Sequence, residues 1–294
     1  MKCRHFVSLL MIQFVALANA RAQDLFSLDR LLVRQSLDTK QVAEPAFFNF
    51  VAPSGKSTWL SIGLGIKYDA SPASNWELGP FIEYAKSTEI EKEQSIFKAG
   101  VSYDWTILDL AENISSPLLI GKTNYNRDGI KETDGLQFSA SFTILFRGKG
   151  KKPDYFYIPN IVSNLGAFDF LYSPHLGFEY EDIMRAKGNS TSATISRILG
   201  KVQISIYPFS ESLENKFEIL SDFTFRHDIV NQTPSTDKDH PILKLNLNYY
   251  LLKDAKAKKS IGVGIAYING EDPAAGFDQQ QLVKLSLIFQ WNPK

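Results

Sequence analysis

Between Gln281 and Trp291 apolar and polar positions alternate without a break. Val283, Leu285, Leu287, Phe289 and Trp291 share one face, and Lys284, Ser286 and Gln290 share the other. A period of two held this long predicts a strand with one apolar and one polar face. The pattern recurs and predicts about twelve strands, over 46–52, 59–68, 76–85, 96–107, 118–125, 136–147, 171–181, 194–206, 217–227, 242–251, 260–267 and 281–291. Most are clean. In 242–251, Leu243, Leu245, Leu247, Tyr249 and Leu251 oppose Lys244, Asn246, Asn248 and Tyr250. Two are not: 118–125 alternates weakly, and in 46–52 Phe47, Phe48 and Phe50 fall on both faces. Turn-forming runs separate the segments, among them Asn126-Arg-Asp-Gly129 and Asn269-Gly-Glu-Asp-Pro273, as a meander of hairpins requires.

Three features decide which face meets what. Many of the segments run 9–12 residues, the length needed to cross a bilayer at a tilt, whereas soluble strands centre near five or six. The polar face is rich in Gly, Ser, Thr and Asn with scattered single charges, which suits a crowded lumen. Tyr68, Trp76, Trp105, Phe146 and Trp291 stand at the ends of apolar rows, as an interfacial girdle would. In lipid no backbone amide can be left unpaired, so such a sheet must close. The expected fold class is all-β: a single closed antiparallel transmembrane β-barrel of about twelve strands, in up-and-down order. A secreted soluble β domain is the other reading of the same alternation.

Composition narrows this further. Residues 1–22 read as a signal peptide: Lys2, Arg4 and His5 precede an apolar run from Phe6 to Leu17, and Ala18-Asn-Ala20 offers a cleavage site. The single cysteine, Cys3, would leave with it, so no disulfide or thiolate chemistry is expected in the mature chain. Removal of Lys2, Arg4 and Arg21 leaves 29 basic residues against 32 acidic, a net charge of −3, which is no nucleic-acid footprint. A mean hydropathy of −0.15 is too low for a helical membrane protein, but a barrel wets half of each strand. Residues 23–45 are expected to form a periplasmic lead-in, with Leu25, Phe26, Leu28, Leu31 and Leu32 on a short amphipathic helix or a small plug. The barrel would then occupy 46–294.

In its signal, strand spacing and aromatic C-terminal strand the chain resembles outer-membrane β-barrels of Gram-negative bacteria, porin-like in type. Its loops and its Phe289-Gln-Trp-Asn-Pro-Lys294 ending are most similar to uncharacterised members from the Bacteroidota. The resemblance implies an outer-membrane location, lipid as surroundings and the barrel-insertion machinery as a partner during biogenesis. In most such barrels the terminal aromatic is the last residue; here Asn292-Pro-Lys294 follow Trp291.

The face turned inward carries the candidate functional residues. Lys67, Lys98, Arg147, Arg197, Lys201, Arg226, Lys244 and Lys284 are set against Glu83, Asp104, Glu179 and Asp222 as expected lumen-lining groups. One reading is a narrow passive channel for small hydrophilic solutes, its wall kept thin by Gly63, Gly65, Gly100, Gly262 and Gly264. The other is a non-conducting structural or loop-display barrel whose lumen charges neutralise one another. The long turn 148–170 falls where turns should be short: either it folds into the lumen with Tyr155, Phe156, Tyr157 and Ile158 packing there, or the strand count is off by one hairpin. No enzyme, cofactor or metal site is expected. His175 shares a face with Glu179 but has Gly177 where a nucleophile might sit, and no phosphate loop or paired metal-ligand spacing occurs.

Overall fold

The computed structural model describes residues 30–34, 45–51, 59–70, 75–88, 93–109, 113–146, 158–185, 192–233, 237–254, 259–272 and 278–291. Its strands are β1 (Leu31–Arg34), β2 (Ala46–Val51), β3 (Trp59–Tyr68), β4 (Trp76–Ser87), β5 (Gln94–Thr106), β6 (Ser115–Asp128) and β7 (Thr133–Phe146). They continue as β8 (Ser163–Asn164), β9 (Phe168–Arg185), β10 (Ala193–Pro208), β11 (Phe217–Asn231), β12 (Asp239–Asp254), β13 (Lys259–Asp272) and β14 (Asp278–Trp291). From β2 to β14, leaving out β8, each strand pairs antiparallel with the next, and β14 pairs back to β2. Twelve strands thus close a barrel in up-and-down order, and the two-residue β8 pairs β9 beside it. No described helix is long and apolar enough to cross a membrane, which says nothing of a β-barrel.

The faces are inverted relative to a soluble barrel. Leu285 is 67% exposed on the outside while its neighbour Ser286 is 6% exposed on the inside. Leu176, Ile198, Phe223, Leu247, Ile261, Val263, Ile265 and Val283 are likewise exposed around the outer wall. A contiguous apolar belt of this kind marks a surface that meets a membrane or another protein. Tyr68, Trp76, Trp105, Phe146 and Trp291 all stand at one end of their strands, the end that holds the 69–75 and 107–114 turns. This end is called the lower rim. Trp76 and Trp105 face each other across β4 and β5, and Lys259 Nζ sits 4.1 Å above the Trp291 ring.

Strands run past the lengths the alternation indicates: β9 has 18 residues and β10 has 16. The pattern fades toward the upper rim because polar residues such as Arg127, Asp182 and Asn231 stand on both faces there. Leu31 and Leu32, expected on a helix of the lead-in, are instead in β1. It lies in line with β2, pairing Leu31–Arg34 with Tyr68–Gly65 of β3 and Val33 with Trp291 of β14. The first wall position is therefore composite, supplied by two short strands of the same direction. The expected helix over 23–29 and the signal peptide lie outside the described residues.

Candidate functional site: the barrel interior

The ladder registers turn Lys67, Glu83, Lys98, Asp104, Glu179, Arg197, Lys201, Asp222, Arg226, Lys244 and Lys284 inward; Arg147 lies outside the described residues. Lys67 Nζ is 3.1 Å from Asp104, and Lys122 Nζ is 2.6 Å from Glu83. Arg226 Nε is 3.1 Å from Glu179, and Lys201 Nζ is 2.7 Å from Asp222. Arg197 Nε is 2.7 Å from Asp228, with Nη1 3.6 Å from Glu181. Several of these bridges pass over an intervening strand, β3 to β5, β4 to β6 and β9 to β11, so they tie the wall together circumferentially. Lys98 stands opposite Glu83 and Lys244 opposite Asp222 in the ladders, while Lys284 Nζ lies 5.5 Å above the Phe47 ring.

Lys67, Asp104, Glu179, Arg197 and Asp222 are buried, whereas Glu83, Lys98, Lys201, Arg226, Lys244 and Lys284 are half-buried. Asp222 is 2% exposed, Arg197 3%, and Gln203, Ser173 and Ser205 are at 0%. Two of the glycines expected to thin the wall receive their neighbours' side chains instead. A Cβ at Gly63 would lie 2.4 Å from the Phe47 ring, and one at Gly264 would lie 2.6 Å from Asn248 Oδ1. Cavities remain, one of about 40 Å³ among Lys122, His175, Glu179, Lys201 and Arg226, and one of about 30 Å³ beside β2 and β14. Each has room for two or three waters.

Toward the lower rim the interior turns apolar. Leu118, Ile120 and Leu145 form one inward cluster, and Leu171 packs with Leu220 as another. Glu218 accepts hydrogen bonds from Tyr207 (2.7 Å), Tyr250 (2.6 Å) and Asn248 (3.2 Å) at the same level. The floor includes part of the long turn. Asn160, in the left-handed region at φ 62°, donates from Nδ2 to Thr143 Oγ1 (2.9 Å) and to Ile144 O (2.7 Å). Its Oδ1 accepts from Ser173 Oγ at 2.5 Å, and its backbone N–H donates to Tyr172 O at 2.8 Å. The turn thus reaches in between β7 and β9. Tyr155, Phe156 and Tyr157 lie outside the described residues.

Ser173 is the hydroxyl that sequence reasoning missed beside His175: it lies two residues before the histidine, not two after. Its Oγ is 2.9 Å from His175 Nε2, a nucleophile–base distance. The hydrogen-bond network assigns it another role. With the hydroxyl proton committed to Asn160, Nε2 is the donor to Ser173 Oγ rather than its base. Ser173 is also fully buried. The group anchors the turn.

Other interior residues were missed for local reasons. Lys122 sits in β6 on the same face as Leu118 and Ile120, where apolar inward residues erase the alternation. Asp228 lies one residue past the predicted end of its strand. It binds Arg197 and Asn231 and lies 3.2 Å from His240 Nε2, whose Nδ1 contacts Glu271. A bulge between Tyr250 and Leu252 turns Lys253 inward, over the Tyr207 and Tyr250 rings. Among the described residues no His, Cys, Asp and Glu group is arranged to hold a metal ion.

No family model and no curated protein matches the chain. Among solved structures it is similar to the transport unit of the autotransporter AIDA-I from Escherichia coli, at 13% identity and a TM-score of 0.40 over 94% of this chain and 96% of that one. It is similar to Acinetobacter baumannii OccAB3 at 11% identity and a TM-score of 0.36, over 85% of this chain and 60% of that one. A third similar chain comes from work on the in-meso crystallization of membrane proteins, at 9% identity and a TM-score of 0.39, over 85% of this chain and 86% of that one. At these scores none of them carries a residue or an activity over to this chain.

Proposed function

We propose that this protein is an outer-membrane β-barrel of a Gram-negative bacterium, exported by its N-terminal signal, with the lower rim periplasmic. Its closed interior makes it a non-conducting wall that presents loops at the cell surface. The observation that carries this reading is the ion pairing of Lys67, Lys122, Arg197, Lys201 and Arg226 at low exposure inside the wall. An open conduit would leave Arg197, Asp222 and Gln203 wet, and they are at most 3% exposed. Strand height supports loop presentation. About 9–11 residues cross a bilayer, while β9 has 18 and β10 has 16, so the wall stands above the membrane on that side. Lipid and the insertion machinery are the partners of this reading.

A passive channel for small hydrophilic solutes is the second reading, favoured by the Asn160 turn, which is held between β7 and β9 as a plug would be. Recording from single barrels in planar bilayers separates the two. The wall reading expects no conductance steps from the full mature chain or after deletion of 150–166. Steps from the full chain would establish a standing channel, and steps only after the deletion a plugged one. In either channel, neutralising Lys244 or Arg226 is expected to shift ion preference toward cations. The membrane assignment has its own check. The chain should fractionate with detergent-extracted outer membrane and run faster on gels unheated than boiled. Recovery as a soluble monomer without detergent would overturn it.

A further inference from the structure

The ring is not equally closed all round. β14 pairs β13 at every residue from Trp291 to Asp278, but it meets β2 only at Leu287, Ile288 and Phe289 and β1 only at Trp291. Above Leu287 β2 stays on β3, through Asn49–Ser61, Phe50–Leu60 and Val51–Trp59, and has no further ladder pair with β14 among the described residues. Asn49 takes over at the point of parting. With its amide oriented to satisfy its neighbours, Nδ2 donates to Leu285 O at 3.0 Å and to Ser286 Oγ at 2.6 Å, and it lies 3.2 Å from Phe48 O. A side chain here holds shut a seam that backbone pairs close elsewhere.

The seam borders the cavity of about 30 Å³ lined by Phe47, Asn49, Lys244, Asn246, Lys284 and Ser286. Two ammonium groups, amides and a hydroxyl face it from inside. Immediately outside, Val283 and Leu285 are 63% and 67% exposed on the apolar belt. Two ammonium groups thus reach the site from within and the apolar belt lies without, with one side-chain clasp between.

We propose that the β2–β14 seam is a lateral portal, and that it admits a single-chain amphiphile with an anionic headgroup. The head enters beside Lys244 and Lys284, and the chain lies outward over Val283 and Leu285. The closed cavity holds about two waters and is too small for a phosphate. Binding therefore requires the Asn49 clasp to release and the seam to part. This rests on the membrane assignment and is independent of whether the lumen conducts.

The test uses the mature chain, which lacks cysteine once the signal is removed, folded in neutral maltoside detergent, with dodecyl phosphate as the probe. Inorganic phosphate is the headgroup control. Dodecyl phosphate should bind at least tenfold tighter than inorganic phosphate, and Lys244→Gln and Lys284→Gln should each weaken it at least tenfold. Hydrogen exchange at 282–287 should speed up on binding, the reverse of ordinary ligand protection. Asn49→Ala should speed the same amides at least tenfold without ligand and leave β12 and β13 unchanged. A disulfide between Phe48→Cys and Leu287→Cys, which are ladder partners, should abolish binding until it is reduced. The heat-dependent gel shift confirms that each variant is folded. Equal affinity in both lysine variants, binding to the oxidised staple, or slower exchange at 282–287 with probe would each overturn the portal. Phosphate binding as tightly as dodecyl phosphate would show a plain anion site without a lipid route.

Discussion

Replacing Arg197 with alanine should lower the unfolding free energy by about 3–5 kcal/mol, the cost of leaving one partner of a buried pair uncompensated. Arg197 is 3% exposed, and its guanidinium is shared between Asp228 and Glu181. Asp228 is itself buried and holds Asn231 at 2.6 Å, so the loss strands two carboxylates and a short network at once. The matched control is Arg127→Ala. That side chain is 66% exposed and 3.9 Å from Asp134, where an ion pair is worth at most about 1 kcal/mol. Urea unfolding of folded barrels in vesicles, followed by the heat-dependent gel shift, measures both. Equal losses would mean that the interior is wetter than its packing indicates, and would return weight to the channel reading.

Leu285→Arg should cost about 2–4 kcal/mol in a bilayer, the penalty for an arginine near the midplane of a lipid-facing strand. Leu285→Ala should cost much less. At 67% exposure its side chain packs against little protein, so truncation leaves almost no cavity. The contrast between these two variants isolates the surrounding solvent. Indifference to arginine would put the outer face in water and end the membrane assignment. Alternation alone nominates Ser286 as the tolerant comparison, because it faces inward. The structure withdraws it: Ser286 is 6% exposed beside Asn49 and Lys284, and an arginine there would overpack the interior.

The outer wall was legible because one rule, apolar side chains outward, holds along whole strands, and Leu243 to Leu251 or Val283 to Trp291 obey it visibly. The interior follows no such rule. Its floor is apolar at Leu118, Ile120, Leu145, Leu171 and Leu220, so in β6 both faces look alike and the period of two disappears. Phe47 and Phe48 seemed contradictory for a similar reason. One fills the space above Gly63 inside, and the other is 48% exposed outside. The charges could be assigned to the lumen from their parity, but their partners could not. Glu83 meets Lys122 across β5, and that distance depends on the curvature of the wall. β1 was missed because its partners, Tyr68 and Trp291, are supplied by the rest of the fold and leave no local trace in Leu31–Arg34.

The composite first wall position also sets the order in which the molecule can be made. Along the rest of the ring, each strand pairs with the next one in the chain, and such hairpins form locally. The last closure joins Val33 to Trp291 and Phe48 to Leu287. Each doubling of a loop costs about 0.6 kcal/mol, so closing this one costs roughly 3–4 kcal/mol more than closing a short hairpin. Among the described residues, three ladder pairs to β2 and one to β1 are there to offset it. Long-range pairing of this kind slows folding. Until the final strand arrives, the growing sheet carries two bare edges, each a template for a wrong partner. Ring closure is then the slow step of assembly, and the residues that decide its rate are those of β1, β2 and β14.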